Sequence, residues 1–305
     1  MSVPTAFSGW LAAAGVVAIW SGFIVISRAG MVGAVPPLDL AALRIFVAAG
    51  LCLPFFLRDG WTGVGPWRGL VLGATAGVGF VLFAFHGFER APANHGAVLL
   101  PGVLPLWIAL LSWLALGERP GRRHLFGLGL IASGIAVLIT DSLGDTVRQA
   151  IGDGLFLCGS FSWAVFTLLA RRWRVPPLQA ASLVAIGAFV LYAPVYAVVS
   201  DWGLVRLSTA VLIGQGFYQG VIATLASVFL FTRAVAALGA QRTAVITAIV
   251  PTVATVLAIP VIGDVPTWAA AAGLALVTIG MISAVLPDRM ASTVEKTLSP
   301  GVRGQ

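Results

Sequence analysis

The chain has 305 residues, of which 59% are hydrophobic and only 10% are charged, and its mean hydropathy is +1.01. Soluble domains are roughly 45–50% apolar and about 25% charged, so this composition excludes a water-soluble globule and makes the lipid bilayer the solvent. The formal net charge of +7 does not indicate a nucleic-acid partner, because the basic residues lie in short loops between apolar blocks, a pattern that orients membrane proteins.

Ten apolar blocks follow one another along the chain. Each is about 20 residues long, which at about 1.5 Å rise per residue matches a hydrocarbon core about 30 Å thick. No loop is long enough to hold a separate domain. The predicted membrane helices span residues 9–28, 38–57, 69–89, 94–116, 123–141, 152–172, 179–199, 209–232, 241–262 and 267–286.

The basic residues divide unequally between the two sides of these helices. Twelve lie in the loops and tails on the side of the N-terminus, against four on the other side, which are Arg28, Arg90, Arg148 and Arg206. Because short cytoplasmic loops carry an excess of Lys and Arg, we expect both termini to be cytoplasmic.

The sequence repeats itself at a spacing of 146 residues. The segment Gly127–Gly134 matches Gly273–Gly280 at this displacement, and so do four residues at the end of the preceding helix. These pairs are Pro105 with Pro251, Gly117 with Gly263, Glu118 with Asp264, and Pro120 with Pro266. Helices one to five therefore repeat as six to ten, and because five is odd the second half enters the membrane from the opposite side.

The predicted fold is an all-α integral membrane protein whose ten transmembrane helices form two inverted five-helix repeats. The first repeat is expected to cover residues 1–146 and the second residues 147–287. A cytoplasmic tail is expected at 288–305.

Several short segments, in this order and with this duplication, resemble the drug/metabolite transporter superfamily in its ten-helix EamA-type branch. They are Trp20-Ser21-Gly22-Phe23 in helix one, Arg44 early in helix two, Pro105 and Gly117-Glu118-Arg119 in and after helix four, and Ser162-Trp163-Ala164 in helix six. The resemblance covers the chain up to about residue 287.

This resemblance implies a membrane transporter for small organic solutes, with a cavity between the halves lined mainly by helices one, three, four, six, eight and nine. Within the superfamily the chain looks most like bacterial amino-acid and metabolite exporters, which implies a bacterial-type inner membrane. The strongly polar, basic cavity of a phosphorylated-sugar carrier is not evident in the sequence.

No charged residue lies at the centre of a predicted helix, where its insertion would cost about 2.5–3.5 kcal/mol. Arg44, His86 and Arg233 lie toward helix ends. The two arginines are interpreted as snorkelling to the interface, with a functional charge as the alternative. His86 either titrates during transport or is structural. Glu118 and Asp264 are interpreted as interfacial. A cavity without a countercharge favours a neutral or zwitterionic solute, and proton exchange and facilitated diffusion both remain open.

Prolines interrupt two helices that the repeat makes equivalent. Pro101 and Pro105 lie in helix four, and Pro251 with Pro260 in helix nine. Broken helices in matching places of two halves are a pointer to a binding site, since each proline frees a backbone carbonyl. The alternative for either proline is a packing kink without ligand contact.

Polar and aromatic residues near mid-membrane complete the candidate site. Trp20 and Trp163, displaced by 143, are expected to clasp a substrate or to pack between helices. Gln215, Tyr218 and Gln219 form a polar stripe that either lines the cavity or joins helices. The candidate substrate-binding residues are Trp20, Ser21, His86, Pro101, Pro105, Trp163, Gln215, Tyr218, Gln219 and Pro251.

The predicted function is export of small neutral or zwitterionic metabolites, amino acids first, by alternating access. The alternatives are a multidrug or other metabolite carrier and, in another class, a membrane enzyme or a structural membrane component. The sequence shows no metal-ligand spacing, phosphate loop or nucleophile beside a base, so we expect no enzyme activity, catalytic residue, metal or cofactor. Its expected partners are a small-molecule substrate and lipid, and the oligomeric state stays open.

Overall fold

The computed structural model describes residues 6–142 and 147–286. In those ranges the regular structure is helical, and ten helices are long and apolar enough to cross a membrane, which confirms the predicted fold class. They are α1 (Ala6–Val32), α2 (Pro37–Asp59), α3 (Pro66–Arg90), α4 (Ala93–Leu116), α5 (Arg122–Ser142), α6 (Val147–Arg172), α7 (Pro177–Val199), α8 (Thr209–Leu238), α9 (Ala240–Ile262) and α10 (Trp268–Val285).

The repeat is visible in the local geometry of α4 and α9. Each helix is interrupted, near Val103 in α4 and at residues 248–249 in α9, and each resumes one residue later, at 104 and 250. Pro105 and Pro251 then lie in the first turn of the resumed segment, where a missing N–H breaks no helical hydrogen bond. Gly117 and Gly263 end the two segments in the left-handed conformation, with φ of 69° and 74°.

A contact between α5 and α10 shows that the two halves are inverted. A Cβ atom added at Gly127 would lie 2.7 Å from the carbonyl oxygen of Gly280, and one added at Gly134 would lie 2.5 Å from that of Gly273. Because Gly273 and Gly280 are the repeat partners of Gly127 and Gly134, the contact is self-complementary, as it is across a twofold axis. The close approach also explains why glycine occupies all four positions.

The first two helices of each half repeat at a different displacement, 140 residues. The left-handed residues Ala34 and Arg174 are related in this way, and so are the helix prolines Pro54 and Pro194. The displacement lengthens afterwards because both the connection between α7 and α8 and the helix α8 itself are longer than their counterparts in the first half. At 140 residues Trp163 pairs with Phe23, so the expectation that Trp163 matches Trp20 is wrong by three residues.

The halves interlock through their second and third helices. A Cβ at Gly73 of α3 would lie 2.5 Å from the carbonyl carbon of Gly187 in α7, and one at Gly220 of α8 would lie 2.4 Å from Val47 in α2. Both α3 and α8 contain wide, π-helical turns beside this contact, at residues 73–79 and 217–226. Such turns are frequent at functional sites, and here they lie on either side of the space between the halves.

Candidate substrate cavity

A cavity of about 1020 Å³ lies between the two halves. Eight helices line it, namely α1 to α4 of the first half and α6 to α9 of the second, which adds α2 and α7 to the six that the resemblance implied. Its walls are mostly aliphatic and aromatic side chains, with a few hydroxyl groups from threonine and serine. A concave, mainly apolar space with few polar groups is the usual form of a small-molecule site.

The cavity reaches the surface at one face of the helix bundle. Arg171, Arg174 and Pro177, all exposed, line it there, at the connection between α6 and α7. We call this the open face; it carries the connections α2–α3, α4–α5, α6–α7 and α8–α9. The opposite face, which carries the remaining connections, is called the closed face.

Tightly packed side chains separate the cavity from the closed face. Leu40, Phe85 and Phe88 are fully buried there. The hydroxyl of Tyr196 donates to buried Asp39, which ties α7 to the beginning of α2. The cavity is therefore shut on this side.

A second polar bridge of the closed face joins α4 to α6. Nδ1 of His95 lies 2.9 Å from Oδ1 of Asp153, and both side chains are buried. Buried ionisable groups are retained when they are paired, so this contact links one helix of each half. The sequence analysis did not single out either residue.

Two ion pairs lie at opposite faces, and their carboxylates, Asp264 and Glu118, are repeat partners. Their arginines, Arg28 and Arg171, differ by 143 residues and so lie three residues, about one helical turn, away from equivalence. At the closed face Arg28, near the end of α1, lies 3.4 Å from Asp264 behind α9. At the open face Arg171, at the end of α6, makes two hydrogen bonds of 3.0 and 2.6 Å to Glu118 behind α4. Each pair joins the first half to the second.

The two ion pairs differ in burial. The closed-face side chains are 19% and 16% exposed, against 60% and 45% at the open face. Asp264 also accepts a hydrogen bond from the backbone N–H of Ala93, and Arg28 donates to the carbonyl of Phe88. Because solvent screens the exposed pair, removal of one partner costs more at the closed face, where the remaining charge stays largely buried.

Arg44 lies at the blind end of the cavity. Its guanidinium donates to the side-chain oxygen of Gln219 at 3.2 Å and lies 4.9 Å from the centre of the Phe23 ring. The interpretation that Arg44 snorkels to the interface is therefore wrong. It occupies the protein-facing side of α2, so the cavity does contain a positive charge beyond its mouth.

Two aromatic pairs form walls of the cavity. Trp20 of α1 stacks on Phe231 of α8 at 5.6 Å between ring centres, and Trp163 of α6 packs against Phe80 of α3 at 4.8 Å. In each pair the tryptophan and the phenylalanine come from different halves. The arrangement gives the solute two aromatic surfaces on which apolar groups or cations can pack.

Serine hydroxyls join each interrupted helix to the other half. Ser21 of α1 donates to the carbonyl of Val250 in α9 at 3.3 Å, and Ser160 of α6 donates to the carbonyl of Leu100 in α4 at 2.8 Å. Hydroxyls from neighbouring helices are a common way to satisfy carbonyls near a helix break. Ser21 is fully buried and thus contributes to the cavity wall from behind.

The structure places three of the ten candidate residues on the cavity surface, namely Trp20, Pro101 and Trp163. The other seven are outside the set that lines it. His86 lies near the closed face beside Glu89 and Arg90. The remaining six, which pack behind the lining or beside the helix breaks, are Ser21, Pro105, Gln215, Tyr218, Gln219 and Pro251.

Gln219 is the clearest difference between the expected and the observed placement. It is fully buried, and its amide nitrogen donates to Ser27 at 3.1 Å and to Gln215 at 3.4 Å. The hydroxyl of Tyr218, its neighbour, donates to the carbonyl of Ile19. The polar stripe of α8 thus faces α1 and α2, and it reaches the cavity only through Arg44.

Sequence comparisons agree with this architecture. The model of the EamA-like transporter family matches residues 7–140 and again residues 150–286. The chain is 25% identical to Uncharacterized transporter YwfM of Bacillus subtilis (strain 168) over 265 residues, which are 85% of this chain and 88% of YwfM. It is 29% identical to Uncharacterized inner membrane transporter YedA of Escherichia coli (strain K12) over 70% of each chain.

Two further similarities bear on substrate and fold. A Probable amino-acid metabolite efflux pump of Escherichia coli (strain K12) is 29% identical over 160 residues, 52% of this chain and 51% of the pump. One solved crystal structure superposes with a TM-score of 0.61 at 22% identity and covers 96% of this chain and 99% of its own; it supports the fold alone. With both halves matched by one family model, the chain belongs to the EamA-like transporter family and is a multi-pass membrane transporter.

Proposed function

We propose that this transporter exports small neutral or zwitterionic metabolites, amino acids first, by alternating access. The observation that carries the proposal is a cavity between inverted halves, open at one face and shut at the other, with an ion pair between the halves at each face. In inverted-repeat transporters the second state arises when the halves exchange conformations around a fixed site.

The two ion pairs indicate how this exchange proceeds. Opening of the closed face separates Arg28 from Asp264, and closing of the open face buries Arg171 against Glu118. The interrupted helices α4 and α9 supply hinges on either side of the cavity, beside Pro105 and Pro251. In this view those prolines position the cavity walls and do not touch the solute.

The direction of transport rests on the orientation of the chain. The twelve-to-four distribution of basic residues predicts that the open face is cytoplasmic, so the described conformation would load a solute from the cytoplasm. The efflux pump among the relatives supports export and an amino-acid substrate. Trp20, Pro101 and Trp163 are then the candidate residues in direct contact with the solute.

A transport assay with purified protein in liposomes tests this function. Liposomes are loaded with individual radiolabelled amino acids, and efflux is measured with and without a proton gradient. We expect saturable efflux of apolar amino acids that is lost when Trp163 is replaced by Ala. Saturable flux of bulky organic cations alone would favour the multidrug alternative, and absence of flux for all solutes would contradict the proposal.

A further inference from the structure

We propose that Arg44 is a carboxylate anchor, so that the solutes of this transporter carry a carboxylate group joined to an apolar body. This inference rests on the proposed function and narrows its substrates to carboxylates: zwitterionic amino acids remain, solutes without a carboxylate are excluded, and carboxylates without an amine are added. It replaces the expectation of a cavity without charge by a cavity with one deep positive charge.

The charge of Arg44 is unbalanced within the cavity. Of the residues that line the cavity none carries a carboxylate, and the only other charged ones, Arg171 and Arg174, lie at the mouth. Within residues 6–142 and 147–286 no carboxylate forms an ion pair with Arg44. Because arginine stays protonated in proteins, Arg44 carries a positive charge at the blind end that no carboxylate of the described residues balances.

The guanidinium of Arg44 has a fixed orientation. A chain of hydrogen bonds holds it, from the carbonyl of Ile26 through the amides of Gln215 and Gln219 to Nη1 of Arg44. A guanidinium has five N–H donors in a planar fork that suits bidentate binding of a carboxylate. The described contacts use one of these donors, so the fork is both fixed in place and free to bind.

The cavity between Arg44 and the mouth suits an apolar body on the solute. Between Arg44 and the mouth lie the aromatic walls formed by Trp20 with Phe231 and by Phe80 with Trp163. Their faces accept an apolar side chain and, through cation–π contact, an ammonium group. No acidic side chain in the lining could form an ion pair with that ammonium group. The solute therefore requires its carboxylate and can lack the amine.

Three related ligands test this order of importance: L-phenylalanine, phenylpropionate, which lacks the amine, and L-phenylalaninamide, which lacks the carboxylate. Binding to purified protein is measured as the rise in the unfolding midpoint with ligand concentration, and transport as counterflow in liposomes. We expect the two carboxylates to bind with similar affinity and the amide about tenfold or more weakly, since one charge-assisted contact is lost.

Two variants test the residue. Arg44→Gln removes the charge, and Gln219→Glu places a carboxylate where an amide oxygen now lies 3.2 Å from Nη1. Both should weaken binding of the carboxylates about tenfold or more and leave the amide unchanged. Gln219→Glu keeps Arg44 and gives it an internal partner, so a purely structural Arg44 would retain full affinity there. Arg58→Gln, an exposed arginine on the same helix, is the matched control.

The proposal is overturned if L-phenylalaninamide binds the unaltered protein as well as the carboxylates do, or if either variant folds and keeps their affinity. These results are distinct from a failure of the transport function. Flux of solutes without a carboxylate, unaffected by Arg44→Gln, removes the anchor and leaves the transporter. Carboxylate binding that needs Arg44 but gives no flux leaves the anchor and removes the function.

Discussion

Neutralising Asp264 should open the closed face of this transporter. Asp264→Asn keeps the size of the side chain and a carbonyl oxygen for the backbone N–H of Ala93, and it removes the charge that faces Arg28. Arg28 is then left mostly buried without its counterion, held only by the carbonyl of Phe88. This cost applies to the described conformation, because separation of the halves exposes Arg28 to water.

The size of the shift follows from burial. Truncating one partner of a buried, hydrogen-bonded charge pair costs about 2 kcal/mol or more of free energy. Because Arg28 is partly exposed, we expect the smallest of these costs, about 2 kcal/mol, for the described conformation. At about 1.4 kcal/mol per factor of ten, the ratio of closed-face-open to closed-face-shut molecules should rise roughly 30-fold.

Distances between spin labels measure that ratio. Val32 at the end of α1 and Val265 behind α9 are exposed at the closed face and belong to different halves. Cysteines at these two positions, in a background without Cys52 and Cys158, carry the labels. In Asp264→Asn the longer of two distance populations should grow at the expense of the shorter.

Glu118→Gln is the internal control because it removes the repeat-related carboxylate at the open face. Its partner Arg171 is exposed in the described conformation and becomes buried only when the open face closes, so this variant disfavours that second state and should not enlarge the longer distance population at the closed face. An unchanged distribution in Asp264→Asn, or an equal change in both variants, would refute the assignment of the Arg28–Asp264 pair to closure.

Three further outcomes are expected. Gly134→Ala should lower the unfolding midpoint in detergent and cost about 1–3 kcal/mol of stability, because its Cβ would lie 2.5 Å from a backbone carbonyl oxygen of α10. Gly129→Ala on the same helix is the control: its Cβ would meet nothing within 4 Å, so it should be neutral. Equal midpoints for the two variants would contradict the close packing. His95→Phe should lower the free energy of unfolding by about 3 kcal/mol, because it leaves Asp153 buried without a partner. The double variant with Asp153→Leu should recover part of this loss. If the losses of the two single variants simply add in the double variant, the pairing is disproved. A cysteine that replaces Gln305 should react with an impermeant thiol reagent in inverted vesicles and not in intact cells. Labelling in intact cells would contradict the predicted cytoplasmic location of the termini.

The sequence was sufficient to predict the helices and the repeat because both depend only on the order and spacing of residues along the chain. Hydropathy locates a span whatever its rotation, and the pairs Pro105 with Pro251 and Gly117 with Gly263 survive as identical residues at a fixed spacing. The register of α1 against α6 was misjudged because Trp163 was matched to a like residue, whereas the backbone geometry sets a different displacement.

The site could be predicted only in part because it depends on helix rotation and on contacts between distant residues. A helix that is apolar on every side carries no pattern that shows which side faces the protein. The directions in which Arg44 and Gln219 point could therefore not be predicted from the residues around them. His95 and Asp153 are 58 residues apart on different halves, and nothing local marks them as partners. The position of Arg44, a third of the way along an apolar helix, was nevertheless a signal. Inserting a charged side chain into the membrane is costly, and such residues usually have a function.

The central claim is that solute crosses the membrane through the cavity between the halves. Ala181 lies half-buried in the cavity wall on α7, and Ala14 lies exposed on α1 outside it. In liposomes, Ala181→Trp should abolish counterflow of the best substrate found while the protein remains folded, and Ala14→Trp should leave it intact. Full flux through folded Ala181→Trp protein would contradict the claim.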